Sequence, residues 1–138
     1  MTIKQNYISG EWVNSSTGDT FETVNPAAPA EVVAEYQESG ETDAAAAVDA
    51  AADTEDLWGS TPAPERGAIL HAAGNILADK KDELTAQLTH EEGKTHAEAG
   101  GEVQRTIDIF HYYAQKARDL GGTVKSSSGR QTNLYTRE

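Results

Sequence analysis

The stretch "GEVQRTIDIFHYYAQKARDL", residues 101–120, decides the fold because it predicts one long helix that is apolar on more than one side. Its inner face repeats at the three-to-four spacing of an α-helix and contains Val103, Ile107, Phe110, Ala114 and Ala117. Ile109 and Tyr113 add a second apolar flank. We therefore expect a helix from about Gly101 to Leu120 that packs on two sides and ends before Gly121.

Two further helices are predicted before this stretch. Thr42 can cap the first, "DAAAAVDAAADTEDLW" (43–58), and Gly59 can end it. Thr61 can cap the second, which continues to about Glu92. Its apolar positions recur at helical spacing and are Ile69, Leu70, Ala73, Ile76, Leu77, Leu84 and Leu88. Gly93 can stop this helix, because glycine readily adopts the left-handed conformation of a helix end.

The two ends of the chain predict strands. Ser9 and Gly10 suit a tight hairpin turn, and "TFETV" (20–24) and "EVVAEY" (31–36) form a second pair around an Asn-Pro turn. The final residues, "TNLYTRE" (132–138), begin a strand without an evident partner, which would expose unpaired backbone groups. The sequence therefore predicts an α+β fold with N-terminal β-hairpins, three helices and a terminal bridging strand.

The charge of the chain limits its partners. The 138 residues include 23 carboxylates and 11 basic residues, for a net charge of −12. This excess repels phosphate, so we expect no nucleic acid and no anionic membrane as a partner. The acidity is spread along the whole chain, which favours a protein kept soluble in concentrated salt, with an ordinary acidic cytosolic protein as the alternative.

The composition also indicates a thin core. Leu, Ile, Val and Phe together account for 22 of 138 residues, so the chain either is disordered or folds with help. The N-terminus "MTIKQNYISGEWV" lacks the apolar run of a signal peptide, and no segment has the length needed to span a bilayer. We therefore expect a cytoplasmic protein.

The segment "HEEGKTH" (90–96) is similar to two catalytic motifs and satisfies neither. A zinc-protease helix needs a second histidine four residues after His90, where Lys94 stands, and His96 faces another direction. A phosphate-binding loop needs glycine at the position of Leu88. The chain also contains no cysteine, which excludes a thiol nucleophile. The residues by themselves predict no catalytic, cofactor-binding or metal-binding group.

Arg105 is a candidate binding residue. It is a fixed cation within an otherwise apolar helix of a strongly acidic protein. One interpretation is an intrahelical ion pair with Glu102 or Asp108, each three residues away. The other is an anion-binding group that faces a cavity.

In order along the chain, these segments resemble the N-terminal part of the aldehyde dehydrogenase superfamily. "YISGEWV" (7–13) is similar to the family's opening hairpin, and "TFETVNPA" (20–27) to its Asn-Pro turn. Residues 64–122 are similar to its long second and third helices, with "EEGK" (91–94) in place of the usual Glu-Thr-Gly-Lys. The resemblance runs from Tyr7 to Glu138, and the type it resembles is the α-ketoglutarate semialdehyde dehydrogenase of salt-loving archaea.

The resemblance implies a chemistry whose machinery this chain lacks. In the family, a cysteine attacks the aldehyde, hydride passes to NAD or NADP, and a glutamate-activated water releases the acid. The cysteine, the general-base glutamate, the oxyanion asparagine and the glycine-rich cofactor turn are absent from residues 1–138. The resemblance thus implies a truncated piece of an α/β subunit, without its catalytic domain, without a bound cofactor and inert as this chain alone.

The resemblance also implies partners and a site. Helices within 41–122 would pack in the cofactor domain, and residues 132–138 would begin the strands that bridge subunits of a homo-oligomer, so intact dehydrogenase subunits are expected partners. Arg105 would border the substrate tunnel and hold the charged end of an anionic aldehyde. The alternative is a non-enzymatic acidic binding module that pairs with another chain through its C-terminal edge strand.

Overall fold

The α+β class predicted from the sequence is confirmed. A computed structural model of the chain describes residues 3–119, 121–129 and 133–135. In these residues the elements follow in the order β1 Asn6–Ile8, β2 Glu11–Val13, β3 Thr20–Asn25, β4 Ala28–Gln37, α1 Glu41–Asp53, α2 Glu55–Ser60, α3 Ala63–Asp79, α4 Lys81–Glu92, α5 His96–Lys116, β5 Val124–Ser126 and β6 Asn133–Tyr135. The strands form three separate two-stranded sheets, and the helices supply most of the buried surface.

Both predicted N-terminal hairpins form. β1 and β2 pair antiparallel, and the residues between them, Ser9 and Gly10, have φ values of 54° and 84°. Two left-handed residues in succession are the requirement of a type I′ turn, which matches the twist of the strands it joins. β3 and β4 also pair antiparallel, and the Ala27 amide donates to Asn25 Oδ1 at 2.9 Å in the turn between them. This side-chain bond is the reason that Asn-Pro directs a turn here.

The first predicted helix is divided. α1 ends at Asp53 and α2 begins at Glu55, so Gly59 lies inside α2 and does not end the first helix. Thr42 is not the cap either, because α1 is preceded by Gly40, whose amide donates to Asp43 Oδ2 at 2.9 Å. Asp43 thus satisfies an amide at the helix start, which moves the boundary two residues towards the N-terminus.

The second predicted helix is also divided, at Lys80, into α3 and α4. Thr61 closes α2, and Pro62 precedes α3. Gly93 does end the second helix as predicted, with φ 65°. A Cβ atom at this glycine would lie 2.8 Å from the Ala27 amide nitrogen, so the close approach of the β3–β4 turn also requires glycine.

The third predicted helix, α5, begins at His96, five residues before the expected Gly101. Thr95 and Glu98 form a capping box, in which the Glu98 amide donates to Thr95 Oγ1 at 3.3 Å and the Thr95 amide donates to Glu98 Oε2 at 3.2 Å. Two first-turn amides are satisfied in this way, which fixes the earlier start. The helix ends at Lys116, and the expected end at Leu120 lies outside the described residues.

The terminal strand has a partner within the chain, contrary to the expectation of an unpaired edge. β6 pairs antiparallel with β5, with Val124 opposite Tyr135 and Ser126 opposite Asn133. One edge of Asn133–Tyr135 is therefore occupied by its own chain. The remaining positions of the predicted strand, 132 and 136–138, lie outside the described residues.

Helix α5 is the centre of the helical layer and packs against α3 and α4. Its predicted inner face is confirmed: Val103, Ile107 and Ala114 are buried, and Phe110 and Ala117 are half-buried. These side chains are few and small, as the composition predicts.

The predicted apolar face of α3 is confirmed in part: Leu70, Ala73 and Leu77 are half-buried, but the two isoleucines are not covered. Ile69 and Ile76 are 55% and 58% exposed, whereas Gly67 and Gly74 are the buried residues of this helix. A Cβ atom at Gly67 would lie 2.6 Å from the carbonyl oxygen of Ala114. The two helix backbones therefore approach closely, and the glycines face the contact while the isoleucines do not.

Two Gly→Ala substitutions should have opposite effects on stability, because one glycine lies at the contact of α3 with α5 and the other does not. Gly67→Ala places a methyl group against the α5 backbone and should destabilise the chain by about 1–3 kcal/mol. Gly101→Ala lies within α5 with open space at its Cβ position and should stabilise the chain by about 0.5–1 kcal/mol. Urea unfolding followed by circular dichroism measures both changes. Stabilisation by both substitutions would show that the backbones do not approach as described.

Candidate functional site

The outward face of α5 carries a row of exposed side chains. Arg105, Ile109, Tyr112 and Lys116 follow at spacings of four, three and four residues, which places them on one side of a helix. Arg105 is about 200° around the axis from the buried Val103, so its end of the row faces away from α3 and α4. Ile109 is 44% and Tyr112 55% exposed. The second apolar flank predicted for this helix, Ile109 and Tyr113, is likewise exposed, so the packing expected on that side is not present among the described residues.

Arg105 does not form the intrahelical pair that was one interpretation of it. Glu102 accepts two hydrogen bonds from Lys94 Nζ, both 2.7 Å, and Asp108 accepts one from Gln104 Nε2 at 2.9 Å. Among the described residues, Arg105 itself has no hydrogen bond and no ion pair, and it is exposed. Its guanidinium group is thus available to an external anion.

Lys94 connects the end of α4 to the start of α5. Its Nζ contacts Glu92 as well as Glu102, and its side chain is only 19% exposed. Hydrogen bonding to Glu102 and then to Glu92 raises the pKa of Lys94 above its usual value. Our sequence reasoning missed this cluster, because the direction of Lys94 depends on the left-handed turn at Gly93 rather than on any periodic pattern.

A groove lies beside the C-terminal half of the row, between α2, α3 and α5. It has a volume of about 540 Å³, and its walls include Trp58, Arg66, Leu70, Tyr112 and Lys116. Tyr112 and Tyr113 meet edge to face with centroids 5.2 Å apart, and Lys116 Nζ lies 5.8 Å from the Tyr112 ring. Lys116 also pairs with Asp119 Oδ2 at 3.0 Å. The groove thus combines aromatic walls with two basic residues, Arg66 and Lys116, and one acidic residue, Asp119.

The segment "HEEGKTH" forms the end of α4, a turn and the first residue of α5. His90 Nδ1 lies 3.1 Å from Glu31 Oε1, and His96 begins α5. In the described part of the chain, no three His, Cys, Asp or Glu side chains converge in a way that could hold a metal ion. Nor does that part contain a helix both long and apolar enough to cross a membrane.

The described helices do not offer a dinucleotide site. Binding of a pyrophosphate at a helix start requires free amides and a favourable charge. Here each helix has a carboxylate in its first turn, and these are Glu41 and Asp43, Glu55 and Asp56, Glu65, Asp82 and Glu83, and Glu98. The strands described pair antiparallel within their sheets, without the parallel strand that precedes a dinucleotide-binding turn. The described residues therefore do not form a binding site for NAD or NADP.

Comparisons with known proteins agree on one family. The family model "Aldehyde dehydrogenase family" matches residues 12–138. The chain is 65% identical over 134 residues to an alpha-ketoglutarate semialdehyde dehydrogenase of Haloferax volcanii, covering 97% of this chain and 28% of that protein. It is 36% identical over 131 residues to an alpha-ketoglutaric semialdehyde dehydrogenase of Bacillus subtilis, covering 95% of this chain and 27% of that protein.

A solved structure shows the same arrangement of elements. It is a point mutant of betaine aldehyde dehydrogenase from Staphylococcus aureus in complex with NAD⁺. The TM-score is 0.87 at 28% sequence identity, over 96% of this chain and 27% of that one. The chain thus spans little more than a quarter of the proteins that it matches.

The Lys94 cluster predicts a stability difference that disappears at alkaline pH. Lys94→Met should destabilise the chain, because Glu92 and Glu102 lose their shared cation. The folded state raises the pKa of Lys94, so its contribution is fully present below the unfolded pKa of about 10.4 and is lost as pH rises through the higher folded pKa. Urea unfolding of both proteins at pH 7, 9 and 11.5 measures the difference.

Lys116→Met is the matched control for this experiment. Lys116 forms a more exposed pair with Asp119, and its loss should cost less than the loss of Lys94. Equal stability of wild type and Lys94→Met at pH 7 would contradict the role assigned to Lys94.

Proposed function

Because the chain belongs to the aldehyde dehydrogenase family, we propose that it supplies the N-terminal part of an NAD(P)-dependent enzyme that oxidises α-ketoglutarate semialdehyde to the acid. The choice of substrate is based on Arg105, which is exposed on the outward face of α5 and has no ion pair among the described residues. The 65% identity to the Haloferax volcanii protein supports the same choice.

The proposed role of Arg105 is to hold the substrate by its carboxylate. α-Ketoglutarate semialdehyde carries a carboxylate at the end opposite its aldehyde group. A guanidinium group is charged at every physiological pH and presents a planar fork of donors that matches a carboxylate. Arg105 would therefore orient the substrate with its aldehyde directed away from α5. Arg105 is a positioning and binding group in this proposal, and it takes no part in the chemical step.

The reacting groups of the proposed enzyme lie in the part of the subunit that this chain does not contain. The chain has no cysteine to form a covalent thiohemiacetal. Because the helix starts of this chain are acidic, NAD or NADP would bind to the remainder of the subunit and accept the hydride there. We therefore propose that the 138-residue chain by itself has no dehydrogenase activity.

The proposed partners are the remainder of the subunit and other subunits. The uncovered apolar side of α5 and the exposed Ile69 and Ile76 of α3 support a packing role within a larger protein. Among the described residues, β5 pairs only with β6. The outer edge of each strand has no partner strand there, which supports a bridging contact in a homo-oligomer. The net charge of −12 supports function in a salt-rich cytoplasm.

The role of Arg105 is tested in a chimera in which this chain replaces the matching segment of the Haloferax volcanii relative. Arg105→Met should raise KM for α-ketoglutarate semialdehyde about tenfold or more, because a charge-assisted hydrogen bond contributes about 1.5–3 kcal/mol. KM for a neutral aldehyde of similar length should change little. Arg118→Met, which removes another exposed arginine, is the control. Equal effects on both aldehydes would remove Arg105 from the substrate site.

The absence of activity in the separate chain is tested by titration calorimetry with NAD and NADP and by an aldehyde-dependent absorbance assay. We expect no saturable cofactor binding, since the first-turn carboxylates oppose a pyrophosphate, and no turnover above a boiled control. Saturable binding of either dinucleotide would contradict the proposed assignment of the cofactor to residues outside this chain.

A further inference from the structure

Arg66 is a basic residue of the groove whose guanidinium group is incompletely paired. It belongs to the first turns of α3 and is half-buried. Its Cζ lies 6.0 Å from the centre of the Trp58 ring, at the edge of the range for a cation–π contact. Its Nε is buried and has no hydrogen-bond partner among the described residues. This chain already covers Nε, so an outside acceptor would reach the guanidinium group through Nη1 and Nη2, which have no hydrogen-bond partner among the described residues.

The surroundings of Arg66 define what that partner can be. Trp58, Leu70, Tyr112 and Ala117 give the groove apolar walls, so an occupant must offer apolar surface. Lys116, the other cation of the groove, is already paired with Asp119. Arg66 therefore presents the unmatched positive charge, and a carboxylate is the acceptor that pairs best with the accessible side of a guanidinium group.

We propose that this groove receives an aspartate or glutamate side chain, flanked by apolar residues, from the part of an aldehyde dehydrogenase subunit that this chain does not contain. The inference rests on the proposed function. The chain spans about 28% of the relative that it matches at 65% identity, which leaves most of a subunit to cover the groove. A second copy of this chain is a poorer occupant, because two chains of charge −12 repel each other.

The test compares one substitution in two settings. In the separate 138-residue chain, Arg66→Met removes an unsatisfied donor and keeps an apolar stem against Trp58, so the melting temperature should stay unchanged or rise. In an active chimera with the Haloferax volcanii relative, the same substitution leaves the covering carboxylate unpaired. The melting temperature should then fall by about 2 °C or more. Arg66→Lys, which retains the charge without the planar fork, should give a smaller fall.

The controls assign each result to one cause. Arg118→Met should have the same effect in both settings. Failure of the chimera to fold after Arg66→Met, with normal folding of the separate variant chain, agrees with the proposal, and failure in both settings overturns it. Equal shifts in both settings also overturn it, because Arg66 would then only pack on Trp58. Self-association of the separate chain in sedimentation, lost on Arg66→Met, would assign the groove to a second copy and overturn the proposal.

The same experiment separates this inference from the proposed function. An unsubstituted chimera that folds but does not oxidise α-ketoglutarate semialdehyde would overturn the proposed function. An active chimera whose melting temperature is unaffected by Arg66→Met would overturn only the carboxylate in the groove.

Discussion

The close approach of α3 and α5 is the constraint on which the rest of the helical layer depends. Gly67 and Gly74 leave room for the α5 backbone and for His111, since a Cβ at either position would come within about 2.6 Å of an α5 atom. This contact turns Val103 and Ile107 inward. Residues that follow a helix at three-to-four spacing share one side of it. When Val103 and Ile107 face inward, Arg105, Ile109 and Tyr112 therefore lie on a different side and stay exposed. The inner contact thereby defines the candidate site.

Electrostatic pairing then decides which cations of the site are available. Acidic residues outnumber basic ones about two to one in this chain, yet among the described lysines and arginines only Lys94 and Lys116 form ion pairs with carboxylates. Lys94 is held by Glu92 and Glu102, and Lys116 by Asp119. Glu102, about one turn before Arg105 in α5, is paired with Lys94 and not with Arg105. Among the described residues, Arg105 and Arg66 have no carboxylate partner; Arg105 is exposed on α5 and Arg66 lines the groove.

The sequence predicted those features of the fold that depend on the conformational preference of one residue type or on a regular apolar period. Ser9-Gly10 and Gly93 were predicted because a left-handed backbone at a turn or a helix end requires residues of this kind. The inner face of α5 was predicted because its apolar period is regular. The order of the segments was sufficient to identify the family, although no single motif was specific.

Sequence reasoning failed where the deciding partner lies far away along the chain. The interruptions at Thr54 and Lys80 occur within continuous helical patterns, so nothing local signals them. On α3, Ile69 and Ile76 were wrongly placed on the buried face and Gly67 and Gly74 were missed, because isoleucine is a stronger apolar signal than glycine, whereas close packing against α5 selects glycine. The pairing of β6 with β5 was missed for another reason, because Val124–Ser126 is a short segment with only one β-branched apolar residue and gives a weak strand signal.

The thin core and the incompletely paired Arg66 have one explanation. A domain that is complete by itself buries its large apolar side chains and pairs its buried charges, because both contribute to a small net stability. Here Ile69, Ile76, Ile109 and Tyr112 stay exposed while Arg66 Nε is buried without an acceptor. Disorder would account for exposed apolar residues but not for a regular row of them along a capped helix of 21 residues. A surface that packs against the rest of a larger protein, as we propose for the Arg66 groove, accounts for both, because the apolar cover and the carboxylate for Arg66 would come from the same contact.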